Sequence, residues 1–566
     1  MVNMINPRQT ELFDTFKEFL SPLAYKTLVS GWQGVFRHVI LETLPAPEIA
    51  NHFNKIFGRP TKELYSIAGI LLIKEFMDWT EEEAANAYMF NADIQYALNL
   101  GRDKISMSAR TIQRYERIFR EDGYASGIMT EVTNKLISEL DLDISKQRLD
   151  STHIFSDMAT FARTRLMGIA IKRFLTQLKR HNRDGYDSLP ENVHNRYGKS
   201  QGGLFGEVAS DKESRSMLRQ EVAEEMYFLI TTFSGVKDVE NRTTYKDLVT
   251  IFNQQCSLVK PDQKVCKESG SSAISKNDHD NIEISDPAPK IGEAEKSSEA
   301  KSNGAKTLCD SVKTPSPLIS DQEKSPNELK VEVKKNTGGR VIQNPSDPDA
   351  TYSGHKGVGY QAQIAETCSG ANEVQLITYA LPETACEPDP AAVVPTMDKL
   401  EKENLLPDKM LADTHYGSDE NVLDCKSRGV ELISPASGNP PKEPPKNPSE
   451  KQQRLATRRE QEKTEDWREE YKMRAGIEAT NSGLKRKTGL SRLRVRGKKS
   501  VFNVILLKIA GWNILRAASS AKMKEKIAKI VEKSNQTNQR IRDLNAFGLN
   551  SSSQRSFPAL YQLIAA

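Results

Sequence analysis

Short β-branched runs that lie far apart constrain the fold of this 566-residue chain more than any other feature. The run ISKQRLDSTHIF at 144–155 is typical of a strand. The next β-rich runs, Gly359–Thr367 and Val374–Pro382, come about two hundred residues later and are joined by CSGANE, a hairpin-like connection. A sheet must therefore be assembled from strands on both sides of a long insertion.

A strand-helix-strand unit follows the hairpin. The segment KMLADTHYGSDENVLDCKSRGVELISPAS predicts a strand at Lys409–Asp413, a helix at Asp419–Arg428 and a strand at Val430–Ser434. The strands together predict an α/β fold in which a mixed central sheet is interrupted after its first strand.

Residues 1–140 are predicted to be helical, because apolar residues recur at intervals of three and four, as in Thr61–Trp79. Thr80 and Ser108 are typical helix starts, and the helix after Ser108 exposes Arg110, Arg114 and Arg117. Two such helices could form a helix-turn-helix that binds DNA, or a packing domain with a solvated basic face. Both interpretations stay open.

The insertion has two parts of different composition. Residues 158–253 are predicted to be helical, whereas 254–346 are rich in Ser, Lys, Glu, Asp, Asn and Pro, which predicts a disordered linker. The apolar share of the whole chain agrees, at about 40% with Gly counted and Tyr left out, against roughly 45–50% in ordinary globular chains. The predicted divisions are 1–140, 141–157 (first strand), 158–253, 254–346, 347–520 (the rest of the sheet domain) and 521–566 (a loosely attached tail).

Composition indicates the compartment but not the partner. The net charge of +4 does not distinguish a nucleic-acid binder. The six cysteines form no C-x-x-C pair, which favours a reducing compartment. Ile67–Ile73 is too short to span a membrane, and the first residues do not resemble a secretory signal. We therefore expect a cytoplasmic protein.

Three acidic residues are placed where they could converge. Asp150 and Asp413 lie near predicted strand ends, and Glu478 lies on a helix expected to pack beside them. Two carboxylates about 4 Å apart repel by about 4 kcal/mol at an effective dielectric constant of 20, so three would not stay ionised unaided. A pair of Mg²⁺ ions removes that cost and suits oxygen ligands. The set predicts two-metal phosphoryl transfer.

A second pattern consists of four polar residues between Tyr471 and Lys485. On a single helix these four residues would fall within roughly 60° of arc around the helix axis, so one face of the helix would carry them all. Gly476 and Gly483 weaken such a helix. A charged surface helix is the alternative interpretation. The members are Tyr471, Arg474, Glu478 and Lys485.

These residues resemble the DDE transposases of bacterial insertion sequences. The matching segments are RLDSTHI, MLADTHYGS and YKMRAGIEATNSGLKRKTGLSRLRVRG, and SDPDATYSGHKGVGYQAQIAET is similar as well. They resemble the insertion-sequence-four superfamily, and within it the insertion-sequence eleven-eighty-two family. The resemblance covers roughly residues 30–155 and 345–520.

The resemblance implies a ribonuclease-H-like catalytic fold and a transposase that binds the terminal inverted repeats of its element, cleaves DNA and transfers strands. It implies that residues 1–140 bind the DNA ends and that Asp150, Asp413 and Glu478 hold two Mg²⁺ ions, for which Mn²⁺ can substitute. Tyr471, Arg474 and Lys485 would act at the DNA end. The implied partners are double-stranded DNA and, because two ends must be paired, at least a second copy of the chain, at the bacterial nucleoid and without a membrane.

A run of basic residues after Glu478 suits contact with the DNA backbone, because it holds eight basic residues and no acidic one. A solvated basic loop is the alternative. The run comprises Lys485, Arg486, Lys487, Arg492, Arg494, Arg496, Lys498 and Lys499.

Other residues near the acids are left out of the predicted site. His153 and His415 are more typical of hydrogen-bonded packing residues, and Asp143 and Asp157 lack the strand context of Asp150. Two further functions stay open. One is a nuclease on the same fold, and the other is a domesticated DNA-binding protein without catalysis, against which the retained acids argue.

Overall fold

The computed structural model describes residues 1–9, 14–101, 105–156, 158, 161–198, 212–259, 329–439 and 447–550, with side chains as far as Asp543. The chain divides into two compact units. The first is Met1–Ala159 with Ser346–Ala566, and the second is Thr160–Pro345.

The first unit begins with helices, as its apolar periodicity predicts. Glu63 caps α5, Thr80 and Glu83 form a reciprocal capping box at α6, and the Ser108 side chain caps α8. The helix α7 lies between α6 and α8, so a short helix-turn-helix connection does not join those two. The helices are α1 (Thr15–Phe19), α2 (Pro22–Ser30), α3 (Trp32–Val35), α4 (Ala46–Ala50), α5 (Leu64–Phe76), α6 (Glu81–Phe90), α7 (Ala92–Ala97), α8 (Ala109–Asp122) and α9 (Tyr124–Leu140). Strand β1 (Lys146–Phe155) follows them.

The described residues of the second unit are mainly helical and have their own apolar core. Its elements are α10 (Arg163–His181), α11 (Arg183–Asp187), α12 (Glu191–Tyr197), α13 (Lys212–Phe233), α14 (Lys237–Glu240), α15 (Thr243–Gln255), β2 (Cys256–Val259) and β3 (Lys330–Val333). The two strands pair in antiparallel fashion. The interval predicted as a linker, 254–346, therefore begins in regular structure and contains β3, after which residues 334–346 form turns and irregular structure. The prediction of disorder for 260–328 lies outside the described residues.

The remaining strands join β1 in one sheet, which makes the fold mixed α/β. They are β4 (Thr351–Ser353), β5 (Gly357–Thr367), β6 (Ile377–Thr384), β7 (Lys409–Ala412) and β8 (Glu431–Ile433). Among the described residues this sheet has six strands: β4 and β6 pair along the outer edge of β5, and β1, β7 and β8 follow in that order. β1 is antiparallel to β5 and parallel to β7, which is parallel to β8. The predicted hairpin and βαβ unit are both present.

The later chain also contributes helices. They are α16 (Val393–Lys402), α17 (Asp419–Ser427), α18 (Glu450–Gln461), α19 (Glu465–Lys472), α20 (Gly476–Thr488), α21 (Lys498–Ser519) and α22 (Ala521–Asn550). Of these, α16, α17, α20 and α21 contact strands of the sheet. The predicted tail thus begins as α22, whose Met523 and Ile527 are fully buried. Residues 551–566 lie outside the described part.

One apolar core joins the N-terminal helices, α21 and one face of the sheet. Buried polar side chains fix α21 within it. Lys508 Nζ donates to Glu75 O at 2.8 Å and Thr488 O at 2.5 Å. Asn513 accepts from Ile377 N at 2.9 Å and donates to Thr133 Oγ1 at 3.0 Å. The helices of 1–140 are therefore packed as part of the sheet-bearing unit.

Helix α21 is also, within the described residues, the one helix long and apolar enough to cross a membrane, with a mean hydropathy of 1.4. The apolar window is 67% buried inside the protein, as expected of a core helix.

Candidate active site

Two of the predicted acids lie on neighbouring strands. Leu149 on β1 pairs with Ala412 on β7 in parallel register, so Asp150 and Asp413 follow side by side. Asp413 begins a short 3-10 turn, Thr414–Tyr416, and its Oδ1 accepts a hydrogen bond from His415 N at 2.8 Å. Asp413 follows the last residue of β7 and lies beside Asp150, which is in the middle of β1, so the prediction that Asp150 lies near the end of its strand is wrong.

The electrostatics of Asp150 reflect this placement. Burial raises the pKa of Asp150 to about 6, and the neighbouring charge of Asp413 adds to the rise while Arg474 opposes it. Partly buried carboxylates that repel each other are the ligands that a divalent cation neutralises. Asp150 and Asp413 therefore fit a bound Mg²⁺ as two of its ligands.

Glu478 lies near this pair but does not join it. Its helix, α20, lies against β1, since Asn481 Nδ2 donates to Asp150 Oδ2 at 3.3 Å one turn later. The side chain of Glu478 is 70% exposed, and its Oε1 meets the guanidinium of Arg474 at 3.4 Å. Within the described residues no group of three or more His, Cys, Asp or Glu is arranged to hold a metal ion. The predicted convergence is therefore seen for two acids and not for the third.

The single helix expected around Glu478 is wrong. Tyr471 lies in the last turn of α19, Arg474 lies in the 3-10 turn Met473–Ala475, and α20 begins at Gly476. The residues still meet in part. The Arg474 guanidinium lies 5.9 Å from the centre of the Tyr471 ring, which stacks on Trp467 at 4.7 Å. Three short segments, rather than one helix face, carry the pattern.

An open cleft of about 530 Å³ lies beside the acids. Burial lowers the pKa of Lys485, and Asp150 opposes that shift, so Lys485 and Asp150 are electrostatic neighbours. The cleft is lined by Ser151, Thr152, His153, Glu478, Asn481, Ser482, Lys485, Arg486 and Ser491. An acid, cationic groups and hydroxyls around one opening suit a phosphodiester, whose oxygens accept hydrogen bonds from them.

The histidines and rival acids differ in their surroundings. His153 is buried, and burial lowers its pKa to about 4, with Lys356 and Lys485 adding to the shift. His415 is 77% exposed and lies 3.5 Å from Asp413, so the packing interpretation is wrong for this residue. Asp143 lies before β1 and accepts from Ser145 N. Asp157 lies outside the described residues.

Lys356 is a residue of the site that sequence reasoning missed. It lies in the turn between β4 and β5, and its Nζ donates to Ser151 Oγ at 2.7 Å and lies 3.5 Å from Asp389 Oδ2. Asp389 in turn raises the pKa of Asp150. In the sequence, Lys356 lies in the segment SDPDATYSGHKGVGYQAQIAET, and the resemblance of this segment to the transposases is the feature that could have indicated it.

The basic run flanks the cleft. Phe155 N donates to Ser491 O at 2.9 Å, which places the loop between α20 and α21 against the end of β1. Several of its side chains contact acidic residues or backbone: Arg494 lies 3.5 Å from Asp78, and Lys499 Nζ donates to Glu121 O at 3.4 Å. The exposed members of the run are Arg486, Lys487, Arg492, Arg494, Arg496, Lys498 and Lys499.

The basic face of α8 is exposed, which both open interpretations allow. Arg110 and Arg114 are exposed, and the guanidinium of Arg114 lies 5.3 Å from the centre of the Phe53 ring. The role of this face in binding DNA stays a prediction.

The fold and the site together describe a mixed α/β protein with two adjacent carboxylates beside an open, partly cationic cleft. Comparison with known families narrows the class. Residues 445–518 match the family model described as "Transposase DDE domain", and this stretch includes Tyr471, Arg474, Glu478 and Lys485. The match supports a DDE transposase, and hence a nucleotidyl-transferase type of enzyme with DNA as its substrate. No curated protein and no solved structure matches the chain.

Proposed function

We propose that this chain is an insertion-sequence transposase that binds the inverted terminal repeats of its element, cleaves them with Mg²⁺ and joins the 3′-hydroxyls to target DNA. The observation that carries the proposal is the placement of Asp150 and Asp413 on adjacent strands beside α20, whose sequence lies in the matched DDE segment. The strand order β6-β5-β1-β7-β8, with β1 antiparallel to β5 and parallel to β7, supports a ribonuclease-H-like catalytic fold. The quoted motifs favour the insertion-sequence-four superfamily and its eleven-eighty-two branch.

Each side of the site has a defined task in this proposal. Asp150, Asp413 and Glu478 would hold Mg²⁺ ions, which supply activation of the attacking water or 3′-hydroxyl and stabilise the leaving oxygen. Arg474, whose charge acts on Asp150, and Lys485, which lines the cleft, would hold the phosphate of the DNA end. Lys356 adds positive charge on the opposite side, next to Ser151.

DNA outside the site is held by charge. The exposed basic run beside the cleft would neutralise backbone phosphates of both the element end and the target. Two ends must be brought together for strand transfer, so the working form is at least a dimer on DNA. We place this activity in the cytoplasm, at the nucleoid.

The test uses the full chain and duplexes of the DNA that flanks its coding region. With Mg²⁺ or Mn²⁺ we expect cleavage at the element boundary and joining to a target plasmid. Glu478→Gln should bind the duplex as the wild type does and lose cleavage by about 10³-fold or more. Glu469→Gln, an exposed glutamate on α19 that pairs with Lys472, is the matched control.

Three outcomes would count against the proposal. Cleavage without joining indicates a nuclease, and binding without metal-dependent cleavage indicates a DNA-binding protein that has lost catalysis. Wild-type cleavage by Glu478→Gln would remove this residue from the site.

A further inference from the structure

A buried ion pair lies beneath the helix that carries Glu478. Arg148 on β1 and Glu366 on β5 are direct cross-strand partners. Arg148 Nε donates to Glu366 Oε2 at 2.8 Å, and its NH2 group lies 2.6 Å from the same oxygen. The side chains are 10% and 0% exposed. Burying two charges is costly unless further hydrogen bonds satisfy their remaining donors and acceptors, so the other hydrogen bonds of this pair matter for its stability.

Arg148 and Glu366 form their other side-chain hydrogen bonds with the segment around Glu478. Arg148 NH1 donates to Met473 O at 2.9 Å, in the 3-10 turn before α20. Thr480 Oγ1, on α20 itself, donates to Glu366 Oε1 at 2.7 Å. Each oxygen of Glu366 is therefore bound by a different element, and Glu478 lies between the two attached residues of its segment.

The start of α20 is shaped for this contact. A Cβ built on Gly476 would lie 2.0 Å from Arg148 NH1, so the helix approaches the guanidinium more closely than any other residue would allow. Arg148 cannot move aside without losing Glu366 or Met473 O. The helix, the turn and the pair are thus fitted to one another.

The pair also faces the acids. Arg148 and Asp150 are two residues apart on β1, so both side chains leave the same face of the sheet. A slip of α20 by one residue would replace the Thr480 hydroxyl with Ala479 or Asn481 and leave Glu366 Oε1 without its donor. The network therefore couples the position of α20 to the strand that carries Asp150.

We propose that Arg148, Glu366 and Thr480 are positioning residues for the reaction: they fix the register and depth of α20 against β1, and thereby set where Glu478 stands relative to Asp150. The inference rests on the proposed function. A buried directional pair serves this purpose better than apolar packing, since it is satisfied in only one register. None of the three residues touches the DNA or the reacting atoms.

The experiment compares two isosteric substitutions in the full chain. Thr480→Val removes the hydroxyl that Glu366 Oε1 accepts from. Thr378→Val is the control, because Thr378 is also buried and its hydroxyl donates at 2.6 Å to Gln147 Oε1, on β1 but away from α20. Melting temperature, affinity for the flanking-DNA duplex, the cleavage rate at saturating DNA and Mn²⁺ affinity of the DNA complex are measured for each.

If the network positions Glu478, Thr480→Val lowers the saturated cleavage rate by about tenfold to a hundredfold and weakens Mn²⁺ binding, while DNA affinity stays within about twofold. Thr480→Ser, which keeps the hydroxyl, restores both. Thr378→Val leaves rate and Mn²⁺ affinity at wild-type values despite a similar loss in melting temperature. Should Thr480→Val not fold, Gly476→Ala is expected to give the same pattern.

Equal rates and Mn²⁺ affinities in the Thr480 and Thr378 variants, with an active wild type, overturn the positioning role alone. A wild-type chain that cleaves no DNA with any metal overturns the proposed function and the positioning role together.

Discussion

Replacing Asp150 by asparagine is expected to stabilise the folded protein at neutral pH in the absence of divalent metal. Burial holds the pKa of Asp150 at about 6, against an ordinary value of 3.8. The folded chain therefore binds this proton more tightly than the unfolded chain does. The protonated carboxyl of Asp150 stabilises the folded chain fully at pH values below 4, and this contribution to the free energy of unfolding is lost as the pH rises through about 6.

The size of the effect follows from the two pKa values. A difference of about two pH units corresponds to about 3 kcal/mol. The carboxylate keeps some contact with water and accepts from Asn481, so we expect about 1–2 kcal/mol in favour of Asp150→Asn at pH 7.5. The gain should shrink as the pH falls to 4 and vanish below about pH 3, where the wild-type carboxyl is protonated in both states. Asparagine retains an oxygen for Asn481 and a similar volume.

Urea unfolding in EDTA, followed by tryptophan fluorescence, measures this gain. The four tryptophans, Trp32, Trp79, Trp467 and Trp512, all lie in the unit that contains the sheet, so the signal reports that unit. Asp143→Asn is the control, because hydrogen bonds from Ser369 and Ser145 hold the pKa of Asp143 below its ordinary value. Its substitution should give no gain at pH 7.5. This role of Asp150 would be refuted if the urea midpoint of Asp150→Asn were no higher than that of the wild type at pH 7.5. It would also be refuted if the midpoint were raised by the same amount at pH 4.

Two further predictions concern packing and DNA binding. Gly511→Ala should lower the free energy of unfolding by about 1–3 kcal/mol, because a Cβ there would lie 2.1 Å from Phe76 Cβ in the core. Gly127→Ala, on the exposed side of α9 where a Cβ meets nothing within 4 Å, should instead raise it by about 0.5–1 kcal/mol, and urea titrations of both variants test the contrast. Replacing Arg492, Arg494 and Arg496 together by alanine should reduce the slope of log affinity for duplex DNA against log salt by about 2–3, measured by fluorescence anisotropy. The same triple replacement of Lys524, Lys529 and Lys533 on α22 should leave the slope unchanged, and an equal loss in both would show that only net charge matters.

The strands could be predicted from the sequence to within a few residues, because their signals are local. The run at 144–155 became β1, and the βαβ unit was placed correctly, since β-branched residues and the glycine stop at Gly429 mark each end. Helix starts at Thr80 and Ser108 were equally local. The pairing of N-terminal helices with α21 was not predictable in this way, because Asn513 and Lys508 form their bonds with residues far away in sequence.

The site was predictable as a set of residues but not as a geometry. Asp150 and Asp413 are adjacent because the register of β1 and β7 makes them so, although Asp150 lies in the middle of β1 rather than near its end. The helix is interrupted by the 3-10 turn Met473–Ala475, where Met473 O also accepts a hydrogen bond from Arg148 on β1, a residue more than three hundred positions earlier. Lys356 reaches Ser151 only through the turn before β5, across more than two hundred residues of sequence. Periodicity contains no information about such contacts.

The outward side chain of Glu478 is a weaker constraint than the position of its backbone. Its contact with Arg474 is a single ion pair at 3.4 Å with a carboxylate that is 70% exposed, and exposed pairs contribute about 0–1 kcal/mol. That energy is too small to hold one rotamer against a competing cation or phosphate. The backbone of α20, by contrast, is held by Thr480 and Met473 through buried bonds to charged groups, which contribute about 1.5–3 kcal/mol each. The fold therefore fixes the backbone position of Glu478, and its side chain can change rotamer so that the carboxylate turns toward Asp150.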